Sequence, residues 1–168
     1  MIIPLVPKTS SLFKLLLSLY LGLSAASAQS LWLEGGLAYD EIPSEATAEF
    51  ASGFEIGLRA IAPLTRRVGI YARPFWFGGA GEAAGLGVDG GVWLSLPNDP
   101  EDLVGFSSYL GAGLTLVRAK YGFALSGALS YELSRDREVV LIYTHRPVVS
   151  PEFSQTFDIA LALKFDFD

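Results

Sequence analysis

The chain has 168 residues, of which 51% are hydrophobic and 18% charged, so it has room for one domain and is too apolar to be disordered. Its net charge of -6 argues against a nucleic-acid partner, because binding phosphates requires clustered Lys and Arg. Cysteine is absent, which excludes disulfides, thiolate metal sites and cysteine nucleophiles.

The amino terminus has the order of parts that is typical of a secretory signal peptide. Lys8 and Lys14 come before or beside an apolar run at residues 15–23, and an Ala-Ser-Ala cleavage site follows. The run is shorter than the roughly 20 apolar residues that a membrane-spanning helix needs. We therefore expect cleavage before Gln29. This divides the chain into a signal peptide at residues 1–28 and one mature domain at residues 29–168.

Alternation of apolar with small or polar residues predicts a series of β-strands along the mature chain. It is clearest in the last of them, which is longer than the ~5–6 residues typical of soluble sheets. Turn-forming Gly, Pro, Asn and Asp separate the segments, and the connections are short. The predicted strands lie near residues 31–39, 54–61, 68–76, 86–96, 109–116, 120–133 and 153–167.

One further segment, Glu138 to Arg146, is ambiguous, because Val139 to Ile142 are apolar on both parities. With it the chain has about eight strands, an even number that brings both termini to one side. We therefore predict an all-β fold: a closed, antiparallel, up-and-down transmembrane β-barrel.

Charge placement predicts which face of each strand points inward. One parity is nearly all Leu, Ile, Val, Phe and Tyr, whereas the other mixes Gly, Ala and Ser with a few charges. Small residues beside opposite charges fit the lumen of a narrow barrel, where side chains fill the space and charges must pair. The predicted interior polar network comprises Glu34, Glu55, Arg59, Arg73, Asp89, Glu132, Asp158 and Lys164.

Aromatic residues on the apolar parity concentrate towards the strand ends, as they do at the two interfaces of a membrane. We expect two girdles. One comprises Tyr39, Trp76, Tyr121, Tyr143 and Phe157, and the other comprises Phe106, Tyr131, Phe165 and Phe167.

From Leu31 onward this pattern resembles the small outer-membrane β-barrels of the OmpA and OmpX type. Members of that group commonly end in an aromatic residue preceded by alternating hydrophobics, as residues 157–167 do here, although Asp168 departs from that ending. The resemblance implies an outer-membrane location. The partners it implies are membrane lipid and the barrel-assembly machinery.

Two motifs suggest enzyme or cofactor chemistry, and neither is sufficient. The G-x-G-x-x-G string at residues 85–90 lies in a predicted strand with no helix after it, so we interpret its glycines as lumen residues. His145 is the only histidine, and the residues two positions away, Tyr143 and Pro147, supply no nucleophile.

The acidic segments at residues 40–49 and 99–102 lack the spacing of a calcium loop, so we interpret them as solvated turns. We expect no catalytic site, no cofactor and no metal. The favoured function is a non-enzymatic structural or interaction protein with a filled lumen, whose loops contact cell-envelope components. The alternatives are a lipid hydrolase or acyltransferase using His145, and a narrow solute pore.

Overall fold

Eight β-strands form the part of the chain that the computed structural model describes. That part comprises residues 29–42, 49–79, 82–97, 105–117, 120–134, 137–149 and 154–167. The predicted signal peptide and Phe153 lie outside these residues. The strands are β1 Ser30–Ile42, β2 Glu49–Pro63, β3 Val68–Gly79, β4 Glu82–Ser95, β5 Phe106–Val117, β6 Lys120–Ser134, β7 Arg137–Val148 and β8 Ser154–Asp166.

The strands close into a barrel, because each pairs antiparallel with the next and β8 pairs with β1. The fold prediction is therefore confirmed. We call the end that carries Ser30 and Asp166 the terminal end; the β2–β3 turn lies there as well. The opposite end, where β1 leads into β2 and β7 into β8, is the loop end. No described residues form a helix long and apolar enough to cross a membrane.

Burial follows the alternation of the sequence. Leu161 is 60% exposed on the outer wall, whereas the next residue, Ala162, is 3% exposed and points inward. The same alternation resolves the ambiguous segment, which becomes β7: Val140 is fully buried and Leu141 is 49% exposed. The outer wall is consequently apolar and the inner face carries the buried polar groups.

Candidate functional site

Seven charged side chains from six strands meet in one cross-section of the barrel, and we call them the ionic layer. Each is buried with a relative exposure of 2% or less. A closed barrel of eight strands has an interior just wide enough for side chains to fill, so charges placed there must find partners in one another. The ionic layer comprises Glu34, Glu55, Arg59, Arg73, Asp89, Arg146 and Asp158.

Arg73 of β3 donates hydrogen bonds to three carboxylates and lies 3.8 Å from a fourth, that of Asp158. Its Nε donates to Glu34 and its Nη2 to Glu55, while Nη1 donates to Asp89 at 3.1 Å. Asp89 lies opposite Arg73 in the β3–β4 register, whereas Glu34 reaches it from β1, which does not adjoin β3. Arg73 thus ties together strands that share no backbone hydrogen bonds.

Arg146 of β7 makes the corresponding connection on the other side. Its Nε donates to both carboxylate oxygens of Asp89, at 3.1 and 3.0 Å, and its Nη2 lies 2.8 Å from Asp89 Oδ2. Nη1 donates to Asp158 of β8 and lies 3.5 Å from Glu55 Oε2. Asp89 and Glu55 are therefore shared between Arg73 and Arg146, so the layer is one connected network.

Arg59 joins the ionic layer to a second layer of aromatic side chains. Its Nε donates to Glu34 Oε1 at 2.6 Å. The carbon at the centre of its guanidinium group lies 5.6 Å from the ring centroid of Trp32, 5.1 Å from that of Tyr71 and 4.6 Å from that of Trp93. These are cation–π distances, and removal from water strengthens such contacts.

The aromatic layer consists of Trp32, Tyr71, Trp93 and Tyr109. Trp32 and Trp93 meet edge to face with centroids 5.2 Å apart, and Tyr109 stacks on Trp93 at 5.8 Å. Trp93 lies flat over Gly111, where a Cβ would come within 2.5 Å of its ring. A glycine is therefore required there for the ring to occupy the lumen. Ile61, Val140, Ile142 and Ala162 complete the apolar packing around these rings.

A smaller polar cluster lies at the terminal end. Lys164 Nζ contacts Glu138 Oε1 at 2.6 Å and Asp166 Oδ2 at 3.0 Å. The Tyr109 hydroxyl donates to Glu138 Oε2 at 3.4 Å. Lys164 is therefore paired inside the barrel mouth, away from the ionic layer.

The structure brings six of the eight predicted network residues together in the ionic layer. Lys164 belongs to the terminal-end cluster, and the prediction for Glu132 is wrong, because that side chain is exposed. Glu132 lies just beyond the last β5–β6 pair, Phe106 with Tyr131, and beside a register shift in the β6–β7 ladder. Sequence reasoning also missed Arg146, which ends the ambiguous segment; the outward parity of Tyr143 could have identified it.

The predicted girdle residues lie on the outer face. Trp76, Tyr121 and Tyr143 are exposed and lie towards the loop end, where half-buried Tyr39 pairs with Phe157 between β1 and β8. In the other predicted girdle the rings of Phe106 and Tyr131 lie 4.8 Å apart. Phe165 and Phe167 also lie at the terminal end. Phe165 is half-buried and Phe167 is exposed.

The structure does not bring the other motifs of the sequence together into a catalytic or metal site within the described residues. Residues 85–90 lie within β4, without a following helix. The side chains of residues 40–42 and 99–102 lie outside the described residues, and the described ones contain no group of His, Cys, Asp and Glu suited to a metal ion. His145 faces outward, and the side chains that it contacts, Gln155 and Phe157, are not nucleophiles.

Comparisons with known proteins concern the fold. Neisserial surface protein A superimposes with a TM-score of 0.64 at 11% sequence identity, over 82% of this chain and 97% of that one. The amino-terminal β-barrel domain of Pseudomonas aeruginosa OprF gives 0.57 at 12% identity, over 82% and 98% of the two chains. No protein-family model and no curated protein sequence matches the chain.

The closed eight-stranded antiparallel barrel with an apolar outer wall is the fold that this chain shares with these small outer-membrane β-barrels.

Proposed function

We propose that this protein is a non-enzymatic component of the outer membrane, in which the barrel anchors the connections of the loop end for contact with cell-envelope components. The observation that carries the proposal is the filled interior. The ionic layer spans the lumen, and the aromatic layer closes it again on the terminal side. Membrane lipid would surround the wall, and the barrel-assembly machinery would insert it.

A solute path would have to pass both layers. Arg73 and Arg146 each hold several carboxylates, so opening the ionic layer would strand buried charges at a cost of several kcal/mol each. In the aromatic layer Trp32 and Trp93 pack edge to face, and the Arg59 guanidinium beside them is bound to Glu34.

Conductance in a planar lipid bilayer tests the filled lumen. We expect the reconstituted protein, without residues 1–28, to show no persistent channels. Stable open channels at modest voltage would support the pore in place of the anchor.

A pull-down from detergent-solubilised envelope tests the interaction role. The matched control replaces residues 43–48 and 150–153 with Gly and Ser, which leaves the strands intact. We expect partners that bind the wild-type chain and not the control. Equal recovery by both chains would remove the proposed role of the loop end.

A further inference from the structure

A hydrogen-bonded polar pair lies on the apolar outer wall near the loop end. His145 of β7 and Gln155 of β8 both face outward, and His145 Nε2 lies 3.0 Å from Gln155 Oε1. The described outward residues around them on these strands include Leu125 of β6, Tyr143 and Pro147 of β7 and Phe157 of β8. None of these four has a charged side chain at neutral pH.

The imidazole of His145 is held in one orientation. Its ring stacks on Phe157 with a centroid distance of 4.7 Å and an interplanar angle of 6°. Because Gln155 Oε1 accepts, Nε2 carries the proton in this arrangement. Nδ1 and the amide nitrogen of Gln155 make no hydrogen bond to the described residues.

A polar pair of this kind is expensive in hydrocarbon, because no water can hydrogen-bond to it. It is tolerated at the level of the headgroups, and amphipathic aromatic rings mark that level. Tyr39 and Tyr143 lie beside the pair, since Tyr39 is opposite Phe157 and Tyr143 is two residues from His145. The pair is therefore positioned to meet headgroups.

We propose that His145 and Gln155 form a binding site for the phosphate group of a membrane lipid in the leaflet at the loop end. An imidazolium donates from both ring nitrogens. In that form Nε2 stays on Gln155 while Nδ1 donates to a phosphate oxygen. Such a charge-assisted hydrogen bond is about twice as strong as a neutral one.

The titratable groups around the pair lie on β7 and β1. Among the described outward neighbours on β6, β7 and β8 there is no carboxylate, and Tyr143 is the titratable group closest along the strand. On β1, which pairs with β8, Tyr39 lies opposite Phe157, and Glu41 is two residues further along, with its side chain outside the described ones. The charged side chains Arg146 and Asp158 face the lumen on the other side of the wall. The amide nitrogen of Gln155 supplies a second donor beside Nδ1.

Because the chain contains one histidine, ¹⁵N labelling of the imidazole reports on His145 alone. We would reconstitute the untagged mature protein in phosphatidylglycerol vesicles and measure solid-state ¹⁵N–³¹P dipolar dephasing. We expect dephasing of Nδ1 by the phosphorus of the lipid. Gln155→Leu, which keeps the stack on Phe157, should weaken it.

The matched control moves the histidine to an outward girdle position on the opposite wall, in the double variant His145→Asn, Trp76→His. This variant should show weaker dephasing. Equal dephasing at both positions would mean generic proximity to headgroups and would overturn the site.

A third sample uses vesicles of a neutral galactolipid with added inorganic phosphate. Equal Nδ1 dephasing there would assign the site to free phosphate and would overturn the lipid source.

This inference rests on the outer wall facing lipid, which the proposed function also requires. Contacts between His145 and acyl-chain protons, measured in the same vesicles, separate the two claims. Acyl contacts without phosphorus dephasing would overturn the phosphate site alone. Absence of both would overturn the membrane position of the wall as well.

Discussion

The ionic layer and the aromatic layer fill the same lumen by different means. In the ionic layer, Arg73 and Arg146 hold the carboxylates by directional bonds, so each group depends on its partners. In the aromatic layer, the rings of Trp32 and Trp93 fill the lumen by packing against each other, and the absence of a side chain at Gly111 leaves room for Trp93. The difference teaches that the ionic layer depends on which charged groups pair, and the aromatic layer on how its rings fill the lumen.

The largest expected effect comes from removing one charge of the ionic layer. Arg73→Met leaves Glu34, Glu55 and Asp89 short of a partner inside the barrel. The free energy of unfolding should fall by about 3–5 kcal/mol, the usual result of breaking a buried pair from one side. Reversible guanidinium unfolding in liposomes measures it.

The control for Arg73→Met removes the carboxylate that loses its nearest partner. Adding Glu55→Gln to Arg73→Met should recover part of the stability, because a neutral amide costs less to bury than an unpaired carboxylate, while Glu34 stays paired with Arg59. A double variant less stable than Arg73→Met would show that pairing does not govern the ionic layer.

A smaller effect tests whether the apolar outer wall faces lipid, which leaves both layers inside the barrel. Leu161 is on the outer wall near the middle of β8, so Leu161→Arg should cost about 2–4 kcal/mol at the bilayer midplane. Phe167→Arg, at the terminal end, should cost about 0–1 kcal/mol, because the penalty fades towards the interface. Equal costs in liposome unfolding would contradict a lipid-facing wall.

The smallest effect comes from making an apolar inward side chain of β7 polar, and a polar one apolar. Val140 lies in the apolar cluster, and Thr144 Oγ1 accepts a hydrogen bond from the Ser126 hydroxyl beside the ionic layer, at 3.2 Å. Val140→Thr should cost about 1–3 kcal/mol by burying a hydroxyl. Thr144→Val should cost about 1 kcal/mol by removing that bond. If neither variant changes the unfolding free energy, the lumen is not divided as described.

The sequence predicts the barrel and most of the ionic layer because side-chain direction has a period of two. Arg59 and Arg73 are charged residues in otherwise apolar or small surroundings, so parity alone directs them inward. The alternation did not identify Arg146, because Val139 to Ile142 on the same strand are apolar on both parities. It also failed for Glu132, because a residue beyond the end of the neighbouring strand is exposed whichever way it points.

Which charges pair could not be predicted. Asp89 is opposite Arg73 only because of the β3–β4 register, and Glu34 reaches Arg73 across the lumen from a strand that does not adjoin it. The aromatic layer was hidden for a related reason. Trp32 and Trp93 share the parity of the glycines, and their contact depends on the closure of the barrel.

Tryptophan quenching tests the filled lumen most directly, because the chain has three tryptophans on two sides of the wall. Trp32 and Trp93 lie inside the barrel, whereas Trp76 faces outward. Brominated lipid should quench the wild-type protein, and the variant Trp76→Phe should lose that quenching. In this variant aqueous iodide should have no effect, because Trp32 and Trp93 are buried in the lumen, where neither water nor lipid contacts them. Strong iodide quenching of Trp76→Phe would reveal a water-filled lumen, and persistent quenching by brominated lipid would place the aromatic layer on the wall.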